Sequence, residues 1–514
     1  LKKATLRSLP IKLQKESIIE KVQELAKRRG FFWQSAEVYS PVGGFWNYGP
    51  LGLVLKNKII SSWRKWFVKD ENAYEIETSN ILPEIVWIAS GHVENFVDKI
   101  VECKKCKSKF RADHLIEDIL GEKEKLEGKT TEELTRIIRE NKIKCPKCEG
   151  ELSEVRTFNL MFPIYVGAYE EIKCYLRPET TQASVLDFMQ VYRTQRGKLP
   201  LKIAQIGKAF RNEISPRQIF MRMREFTMAE LQIFFNPEET KYEDFEKLSN
   251  YEVNLLPVEL RQKGEENFVG ISVSKALEKG WIPNEIIAYY IAKVFAFFTE
   301  ELGFRKDYIR YKELLPEERA HYAKVHWDLE VYSKDFGWQE CVNNAWRSDY
   351  DLSRHQKFSK QNFSVFENGK RILPHLYEPS FGIDRIFLLL LVNSFREDKE
   401  RTWLQINRKF APYDVGVFPL VSKDELKTKA REIYILLKND FNIFYDESDS
   451  IGRRYRRADE VGIPACITID FQTLKDNSVT LRDRDTMQQI RTRIPDLPDV
   501  LKKFLNGASL ETLS

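Results

Sequence analysis

The chain has 514 residues, and its 82 basic and 77 acidic side chains leave a net charge of only +5. That length is enough for two to four domains with a sizeable core. The mixed charge excludes binding to nucleic acid through one global field, so such contacts must come from local patches. The longest apolar run, Ile386 to Val392, is too short to cross a bilayer. Seven cysteines, an odd number in a large chain, favour a reducing compartment over a disulfide framework.

The first residues of the sequence do not resemble a secretion signal. The first fifteen residues contain five Lys or Arg and no acid. This composition fits a solvated tail better than an organelle signal, and no signal-peptide core is present. We therefore expect a cytoplasmic protein that does not associate with membranes.

Up to residue 100 the pattern predicts two helices and a strand. Residues 17 to 29 place apolar side chains on one face, and Gly30 ends that helix. A second helix is expected over residues 53 to 68, introduced by a Gly-Pro-Leu-Gly turn, and a strand follows from Tyr74 to Thr78.

Two Cys-x-x-Cys pairs mark residues 101 to 150 as an insertion. Cys103 and Cys106 form one pair, and Cys145 and Cys148 form the other. Four thiolates complete a tetrahedral zinc shell, and closed four-cysteine sites are typically structural. The 38 residues between the pairs exceed the usual spacer, but they are charged and helix-prone, as expected for an excursion between two zinc knuckles. Unbound thiols are the alternative, whereas a redox pair would need a thioredoxin-like context that the sequence lacks.

The rest of the chain divides into strand-rich and mixed regions. Residues 155 to 235 alternate strands and turns, residues 236 to 275 are acidic and less regular, and residues 283 to 302 predict an amphipathic helix. Strands return before a buried helix that ends near residue 394. After Pro412, strands and helices alternate, which predicts a separate α/β domain with a partly parallel sheet.

The segment from Phe210 to Glu230, FRNEISPRQIFMRMREFTMAE, has the composition of a nucleotide site without a glycine-rich loop. Its apolar ends alternate as strands do, and Ser215-Pro216-Arg217 predicts a turn between them. Guanidinium forks suit phosphate oxygens, a phenylalanine can stack on a base, and Glu213 can accept from an amino group. A solvated charged hairpin is the alternative.

The segment Glu378-Pro-Ser-Phe-Gly-Ile-Asp-Arg385 passes from a strand into a helix. Gly382 lets the backbone approach a ligand closely. An arginine in the first turn does not stabilise its own helix. The position of Arg385 is therefore explained best by an anion or a base in front of it.

These segments resemble the three motifs of class II aminoacyl-tRNA synthetases: the helix, strand and proline up to Pro83 resemble motif 1, RNEISPR with REFTMAE resembles motif 2, and EPSFGIDR resembles motif 3. The motif 2 segment is most similar to glycyl-tRNA synthetases of the archaeal and eukaryotic type, and the resemblance runs from about residue 25 to the end. It implies an α+β protein. The expected parts are an antiparallel β-sheet catalytic domain flanked by helices (1–100, 151–235 and 331–408), a zinc-ribbon-like insertion (101–150), a partly helical insertion (236–330) and a C-terminal α/β anticodon-binding domain (409–514).

The resemblance also implies a chemistry and a set of site residues. The family activates glycine with ATP, releases pyrophosphate, and transfers glycine to the 3′ end of tRNA(Gly); motif 1 implies a homodimer. Arg211 and Arg385 are the expected catalytic residues. The residues implied to bind ATP are Arg211, Asn212, Glu213, Arg222, Met223, Arg224, Phe226, Glu340, Cys341 and Arg385, with Arg217 a further candidate for the β- and γ-phosphates. The residues implied to bind glycine are Glu179, Glu230, Glu378, Ser380 and Arg111, and those implied to bind tRNA are Arg453, Arg454, Tyr455, Arg456 and Arg457. Magnesium is expected at Glu340, and structural zinc at Cys103, Cys106, Cys145 and Cys148.

Several positions depart from the family pattern. Thr181 and Ala183 stand where alanine and glycine are usual, Asp384 replaces a common glycine, and Asn343 and Trp346 change the segment before Arg347. The rival interpretation is a non-catalytic relative, a nucleic-acid-binding or polymerase accessory subunit with the same fold. Such proteins lose the motif arginines and glutamates, and this chain keeps them.

Overall fold

The computed structural model describes residues 17–513, apart from 122–125, 127, 170, 215, 217, 218, 240 and 368. The predicted N-terminal tail and Arg217 therefore lie outside the described residues. The α-helices are Ile18–Arg29, Pro50–Arg64, Glu84–Ala89, His92–Asn95, Ala112–Leu120, Thr131–Glu140, Thr181–Thr194, Val258–Gln262, Val273–Glu278, Glu285–Ala296, Tyr350–Ser359, Ile383–Ser394, Asp424–Leu437, Ile451–Val461, Thr473–Asp476 and Leu497–Leu505. None of these helices is long and apolar enough to cross a membrane.

A nine-stranded sheet forms the centre of the larger, N-terminal part of the chain. Its strands are β1 (Tyr74–Ile76), β2 (Leu201–Phe210), β3 (Glu225–Phe235), β4 (Glu252–Leu256), β5 (Val269–Ser272), β6 (Ile309–Glu313), β7 (Val325–Ser333), β8 (Gly337–Ser348) and β9 (His375–Gly382). The order across the sheet is β5-β4-β6-β7-β8-β9-β3-β2-β1. Neighbours are antiparallel except for β2 with β1 and β4 with β6. The predicted antiparallel sheet is therefore confirmed, with two parallel pairs near its edges.

The sheet also extends further than the sequence suggested. Residues 236 to 275, expected to be irregular, supply β4 and β5 at one edge. These strands have four and five residues, too short for their alternation to stand out from the acidic loops around them.

Two mostly apolar helices, Glu285–Ala296 and Ile383–Ser394, pack against this sheet and are buried along almost their whole length. The amphipathic helix expected over residues 283 to 302 is therefore wrong in its exposure: Glu285–Ala296 has no polar face toward water, and its Lys293 is buried against Glu71. A helix that is apolar on almost all sides is stable only inside a core. The predicted helices near residues 17 and 53 are also present: Ser17 and Glu20 form a capping box, and Pro50 opens the second helix at a position where its missing N–H costs nothing.

The cysteine-rich insertion has a small core of its own. Strands Lys109–Arg111, Val97–Glu102 and Arg156–Asn159 pair into one sheet. Helix Thr131–Glu140, which begins with a capping box, packs its apolar face into this core with helix Ala112–Leu120. The excursion between the cysteine pairs is therefore helical, as predicted.

The C-terminal region forms a second, five-stranded sheet. Its strands are β10 (Val415–Pro419), β11 (Ile443–Tyr445), β12 (Ala465–Ile469), β13 (Ser478–Asp483) and β14 (Gln489–Arg493), in the order β11-β10-β12-β13-β14. The first three are parallel and the last two antiparallel. A separate apolar core lies between this sheet and its helices, which agrees with the predicted partly parallel α/β domain. The remaining short strands are Phe32–Gln34, Trp46–Tyr48, Ile81–Pro83, Phe162–Val166, Ile172–Leu176, Val365–Glu367, Lys370–Ile372, Phe395–Glu397 and Thr402–Leu404.

Candidate active site

A cavity of about 270 Å³ opens over the middle of the large sheet, where β2, β3, β8 and β9 lie side by side. Strand register brings distant residues together there: Glu230 of β3 pairs with Ser380 of β9, and Glu378 of β9 pairs with Ala345 of β8. The predicted residues that line the cavity are Glu179, Arg211, Glu213, Arg222, Met223, Phe226, Glu230, Glu340, Cys341, Glu378, Ser380 and Arg385.

Three predicted residues do not line this cavity. The Arg224 guanidinium donates to the main-chain oxygens of Glu213 (2.7 and 3.1 Å) and Gly43 (2.8 Å), which fastens the motif 2 segment to an N-terminal loop. Asn212 contributes its main-chain N–H to Leu160. Arg111 opens onto a separate depression, where it pairs with Asp98 and Asp113. Arg224 and Asn212 thus hold the backbone next to the cavity in place, and Arg111 pairs with acidic residues outside the cavity.

One end of the cavity is cationic. The Arg211 guanidinium lies between the rings of Phe96 and Phe226, at 5.3 and 5.2 Å from their centroids, and its Nε donates to the main-chain oxygen of Pro178. Arg222 lies 3.6 Å from Glu213. Stacking between two rings fixes the Arg211 plane while its terminal nitrogens stay available to an anion.

Arg385 also lines this cavity. Its Nη1 donates to the Glu340 carboxylate at 3.1 Å and to the Glu340 main-chain oxygen at 2.7 Å, and its Nε donates to Met221. Burial favours a raised pKa for Glu340, but Arg385 and Arg211 outweigh it and lower that pKa. A charged carboxylate therefore lies beside two guanidinium groups, in a place suited to a metal-bound phosphate.

The other end of the cavity is anionic and buried. Glu230 is fully buried, and its carboxylate accepts from Ser380 (3.0 Å), Gln232 (3.0 Å), Thr180 and Thr181. The Thr181 hydroxyl also lies within hydrogen-bond distance of Glu378. This position departs from the family pattern, and here its hydroxyl joins two of the carboxylates.

The third carboxylate of this group, Glu179, has partners of its own. Its Oε1 accepts from Gln182 at 2.9 Å and from Arg347 at 3.3 Å, and its Oε2 lies 3.4 Å from His92 Nε2. Burial alone would raise the pKa of Glu179, but Arg347 and His92 hold it well below its usual range.

Burial raises the pKa of Glu378 well above its usual range, and the charges of Glu230 and Glu179 add to that effect despite Arg347. Burial and Glu179 also raise the pKa of Glu230.

Counting acceptor positions shows what this group can bind. Each carboxylate oxygen accepts about two hydrogen bonds. On that count Glu230 Oε1, Glu179 Oε2 and both oxygens of Glu378 keep one position each. An ammonium group has three donors and no acceptor. The anionic end therefore matches the donors of an amino group.

Arg347 is a residue of this site that sequence reasoning did not assign. It lies at the end of β8, is 1% exposed, and contacts Glu179, Glu378 and Asp351. In the sequence its segment differs from the family pattern, and that difference does not predict a role for Arg347. The available signal was an arginine four residues before an acidic residue at the junction of a strand and a helix.

The other departures have clear structural roles. Asp384 accepts from the main-chain N–H of Thr227, from the Tyr48 hydroxyl and from Lys56 (3.2 Å), so it ties the motif 3 helix to motif 2 and motif 1. Burial lowers the pKa of Lys56 despite this carboxylate. Asn343 lines the cavity beside His326, whereas the Trp346 ring packs against His375 and Phe235.

The four predicted zinc cysteines meet at one point. Their Sγ atoms all lie within 4.8 Å of one another, with Cys103 to Cys148 at 3.5 Å and Cys106 to Cys145 at 3.6 Å. A tetrahedron of Zn–S bonds has edges of about 3.8 Å. The residue after each pair, Lys107 or Glu149, is left-handed and donates its N–H back to the first cysteine's carbonyl. The donor set thus fits a four-coordinate thiophilic ion.

The arginine-rich helix Ile451–Val461 of the C-terminal domain divides into buried and exposed positions. Arg454 is 1% exposed and donates to the main-chain oxygens of Pro419, Ser448 and Asp449, so it holds loops together. Arg453 and Arg457 pair with Asp449 near the surface. Arg456 has no ion-pair partner among the described residues. The Tyr455 hydroxyl lies 2.5 Å from Thr468, and its ring faces Arg482.

Two parts of the chain match models of known protein families. Residues 166–395 match the tRNA synthetase class II core domain (G, H, P, S and T), and residues 414–504 match an anticodon binding domain. Among solved structures, a prolyl-tRNA synthetase from Cryptosporidium parvum complexed with halofuginone and AMPPNP superposes with a TM-score of 0.59 at 14% identity, covering 95% of this chain and 78% of that one. At that identity the likeness concerns the fold alone.

Curated relatives are similar over nearly their whole length. A glycine–tRNA ligase from Pyrococcus horikoshii is 44% identical over 95% of this chain and 99% of the relative. Glycine–tRNA ligases from Methanocaldococcus jannaschii, at 41%, and Aeropyrum pernix, at 40%, cover 95% and 97% of this chain and 99% of their own lengths.

Proposed function

The chain belongs to the glycine–tRNA ligase family, and on that premise we propose that its cavity activates glycine with ATP and then charges tRNA(Gly). The observation that carries the proposal is the pairing of two opposite ends in one cavity: stacked and paired arginines at one end, and three buried carboxylates with unfilled acceptor positions at the other. A nucleotide and an amino acid fit these ends with their reacting groups between them.

Activation then requires positioning more than proton transfer. The glycine carboxylate is already ionised at neutral pH. One of its oxygens attacks the α-phosphorus, an acyl–phosphate anhydride bond forms, and the bond to the β-phosphate breaks, so pyrophosphate leaves with its charge. In this proposal Arg211 neutralises the α-phosphate, Arg222 neutralises the β- and γ-phosphates, and Arg385 and Phe226 hold adenine between them. Magnesium bound by Glu340 and the phosphates would add Lewis-acid neutralisation of the leaving group.

Selection of glycine is a problem of exclusion, because every competing amino acid is larger. The glutamates that hold the ammonium are fixed by Thr181, Ser380 and Arg347, so they cannot retreat to admit a methyl group. The test is ATP–pyrophosphate exchange with each of glycine, alanine, serine, proline and threonine. Exchange with glycine alone is the expected result. Absence of exchange with glycine and magnesium would favour the non-catalytic accessory subunit.

In the second step the terminal adenosine hydroxyl of tRNA attacks the glycyl carbonyl and AMP leaves. The exposed side of helix Ile451–Val461 supports contact with the anticodon arm, because Arg453, Arg456 and Arg457 lie three and four residues apart on one face and their cations suit RNA phosphates. The predicted contact of Tyr455 with tRNA has less support, since its hydroxyl bonds Thr468 and its ring packs on Phe418. The buried Arg454 has a structural role in this proposal.

Replacing Arg456 by glutamate should raise the KM for tRNA in aminoacylation by about tenfold, since a phosphate contact is exchanged for a repulsion. Glycine-dependent exchange without tRNA should be unchanged. The matched control is Lys502→Glu, a charge reversal on the exposed side of helix Leu497–Leu505. An equal rise in KM for both variants would point to net charge and not to a local RNA surface.

Zinc bound by Cys103, Cys106, Cys145 and Cys148 would serve the fold of the insertion, because four protein ligands leave no open position for chemistry. Cys145→Ser should lower the bound metal from about one ion per chain to none, and the visible absorption of a cobalt-substituted protein should disappear. The buried Cys174 offers a control, since Cys174→Ser leaves the cluster intact. Retention of metal by the Cys145 variant would remove this site from the proposal.

We further propose a homodimer that works in the cytoplasm, where tRNA charging supplies the ribosome. Support comes from exposed apolar side chains on the small sheet that contains Ile81–Pro83: Ile81, Val166 and Ile172 are 41 to 54% exposed, and the strand register puts them on one face. A patch of this kind is typical of a contact between protein chains. Sedimentation at micromolar concentration should give the mass of two chains, and a single-chain mass would contradict the dimer.

A further inference from the structure

Arg347 makes an unusual number of charged contacts for one buried residue. Its Nε and Nη2 donate to the two oxygens of Asp351 at 2.7 and 2.8 Å, its Nη1 donates to Glu378 at 3.0 Å, and its Nη2 also reaches Glu179 at 3.3 Å. The Tyr322 ring covers one face of the guanidinium at 3.6 Å. The group is thus fixed in position and in plane.

Asp351 defines that plane and does not line the cavity. It lies in the first turn of helix Tyr350–Ser359, four residues after Arg347, and grips the guanidinium in two-point geometry. Gln182 braces the same assembly, because its amide donates both to Asp351 (2.8 Å) and to Glu179 (2.9 Å). Arg347 therefore stands on a rigid base, and it also donates to Glu378 and Glu179, two carboxylates that line the cavity.

The two cavity-lining carboxylates that Arg347 contacts lie on different elements of the fold. Glu179 precedes helix Thr181–Thr194, and Glu378 lies in β9. Without a cation between them, two buried carboxylates repel each other and take up protons. With one guanidinium bonded to both, their separation follows from the geometry of the fork, and each keeps an acceptor position on the cavity side.

We propose that Arg347 is the positioning residue of the amino-acid pocket: its guanidinium fixes Glu179 and Glu378 at the separation from which both accept the ammonium of glycine. The inference rests on the proposed function, because it assigns the anionic end of the cavity to that ammonium. Arg347 itself does not touch the substrate. A lysine cannot replace it, because one ammonium group lacks the planar fork that reaches Asp351, Glu378 and Glu179 together.

The experiment measures ATP–pyrophosphate exchange in Arg347→Lys and Arg347→Gln as glycine and ATP are varied separately. Truncating one partner of a buried charge pair corresponds to about 30-fold or more in binding. We expect the KM for glycine to rise by at least that factor in both variants, and the KM for ATP to stay within about threefold, because no contact of Arg347 reaches the cationic end. Equal changes in both KM values, or an unchanged KM for glycine, would overturn the proposal.

A pH profile separates positioning from a merely structural role. Arg347 lowers the pKa of Glu179, so Arg347→Gln should let that carboxyl take up a proton at a higher pH. As the pH is lowered, kcat/KM for glycine should therefore fall more steeply in this variant than in the wild-type protein. A variant that is less stable but has the wild-type profile would contradict the proposal.

Two further variants keep the test decisive. Arg482→Lys shortens another buried arginine that grips an aspartate and faces a tyrosine ring, in the C-terminal domain, and its KM for glycine in exchange should not change. Should the Arg347 variants fail to fold, Asp351→Asn loosens the base of the guanidinium and should still raise the KM for glycine several-fold with the KM for ATP unchanged. If the wild-type protein itself shows no glycine-dependent exchange, the proposed function is rejected instead.

Discussion

Arg211→Ala should reduce glycine-dependent ATP–pyrophosphate exchange to background while the protein stays folded. The guanidinium is held between Phe96 and Phe226 and has no ion-pair partner among the described residues, so its charge is available to the α-phosphate. Removing a group that neutralises a transferring phosphoryl centre costs about 10³-fold in rate or more. Single-turnover formation of pyrophosphate from ATP and glycine is the direct measurement.

The controls for this prediction separate charge from geometry. Arg211→Lys keeps the charge but loses the planar stack and the two-point contact, and we expect it to recover only part of the activity. Arg305→Ala removes another arginine that lies over an aromatic ring, Tyr308, at the surface, and its exchange rate should equal that of the wild type. A fully active Arg211→Ala enzyme would show that another cation neutralises the α-phosphate.

The local parts of this site were predictable because their signals are local. The motif 2 segments alternate in polarity, and they are neighbouring strands in the sheet. The turn expected at Ser215-Pro216-Arg217 falls mostly outside the described residues, and the ligand expected in front of Arg385 stays a prediction. Spacing alone paired the four cysteines, since a Cys-x-x-Cys segment can present both thiolates to one ion. These signals do not depend on how distant strands meet.

The anionic end depends on pairing between strands far apart in the chain, and no local pattern encodes that register. Glu230 lies beside Ser380 because β3 pairs with β9, across 150 residues. Arg347 has the sequence context of a surface arginine, and only the crossing of β8, β9 and helix Thr181–Thr194 buries it among carboxylates. The same limit applies to Arg111 and Arg224, whose side-chain directions are set by Asp98, Asp113 and main-chain oxygens.

Glu378→Gln should raise the KM for glycine by about 10²-fold or more and leave the KM for ATP nearly unchanged. Of the three glutamates, Glu378 has the fewest internal donors: Arg347, and a Thr181 hydroxyl whose one proton also serves Glu230. It therefore keeps the most capacity for the substrate ammonium. Glutamine has the same shape but supplies a neutral amide, and a charge-assisted contact in a buried site is lost. Exchange measured over a wide range of glycine concentration tests this directly.

The same residue gives glycine binding a pH dependence with a definite sign. Burial raises the pKa of Glu378 well above its usual range, so the empty pocket keeps a proton at pH values where an ordinary glutamate is charged. The ammonium of glycine requires the charged carboxylate and expels that proton. The KM for glycine should therefore fall as the pH rises toward that pKa, and calorimetry in buffers of different ionisation enthalpy should detect proton release. Glutamine cannot titrate, so Glu378→Gln should lose both effects. A variant that keeps them would show that the released proton comes from Glu230, whose pKa is also raised by burial.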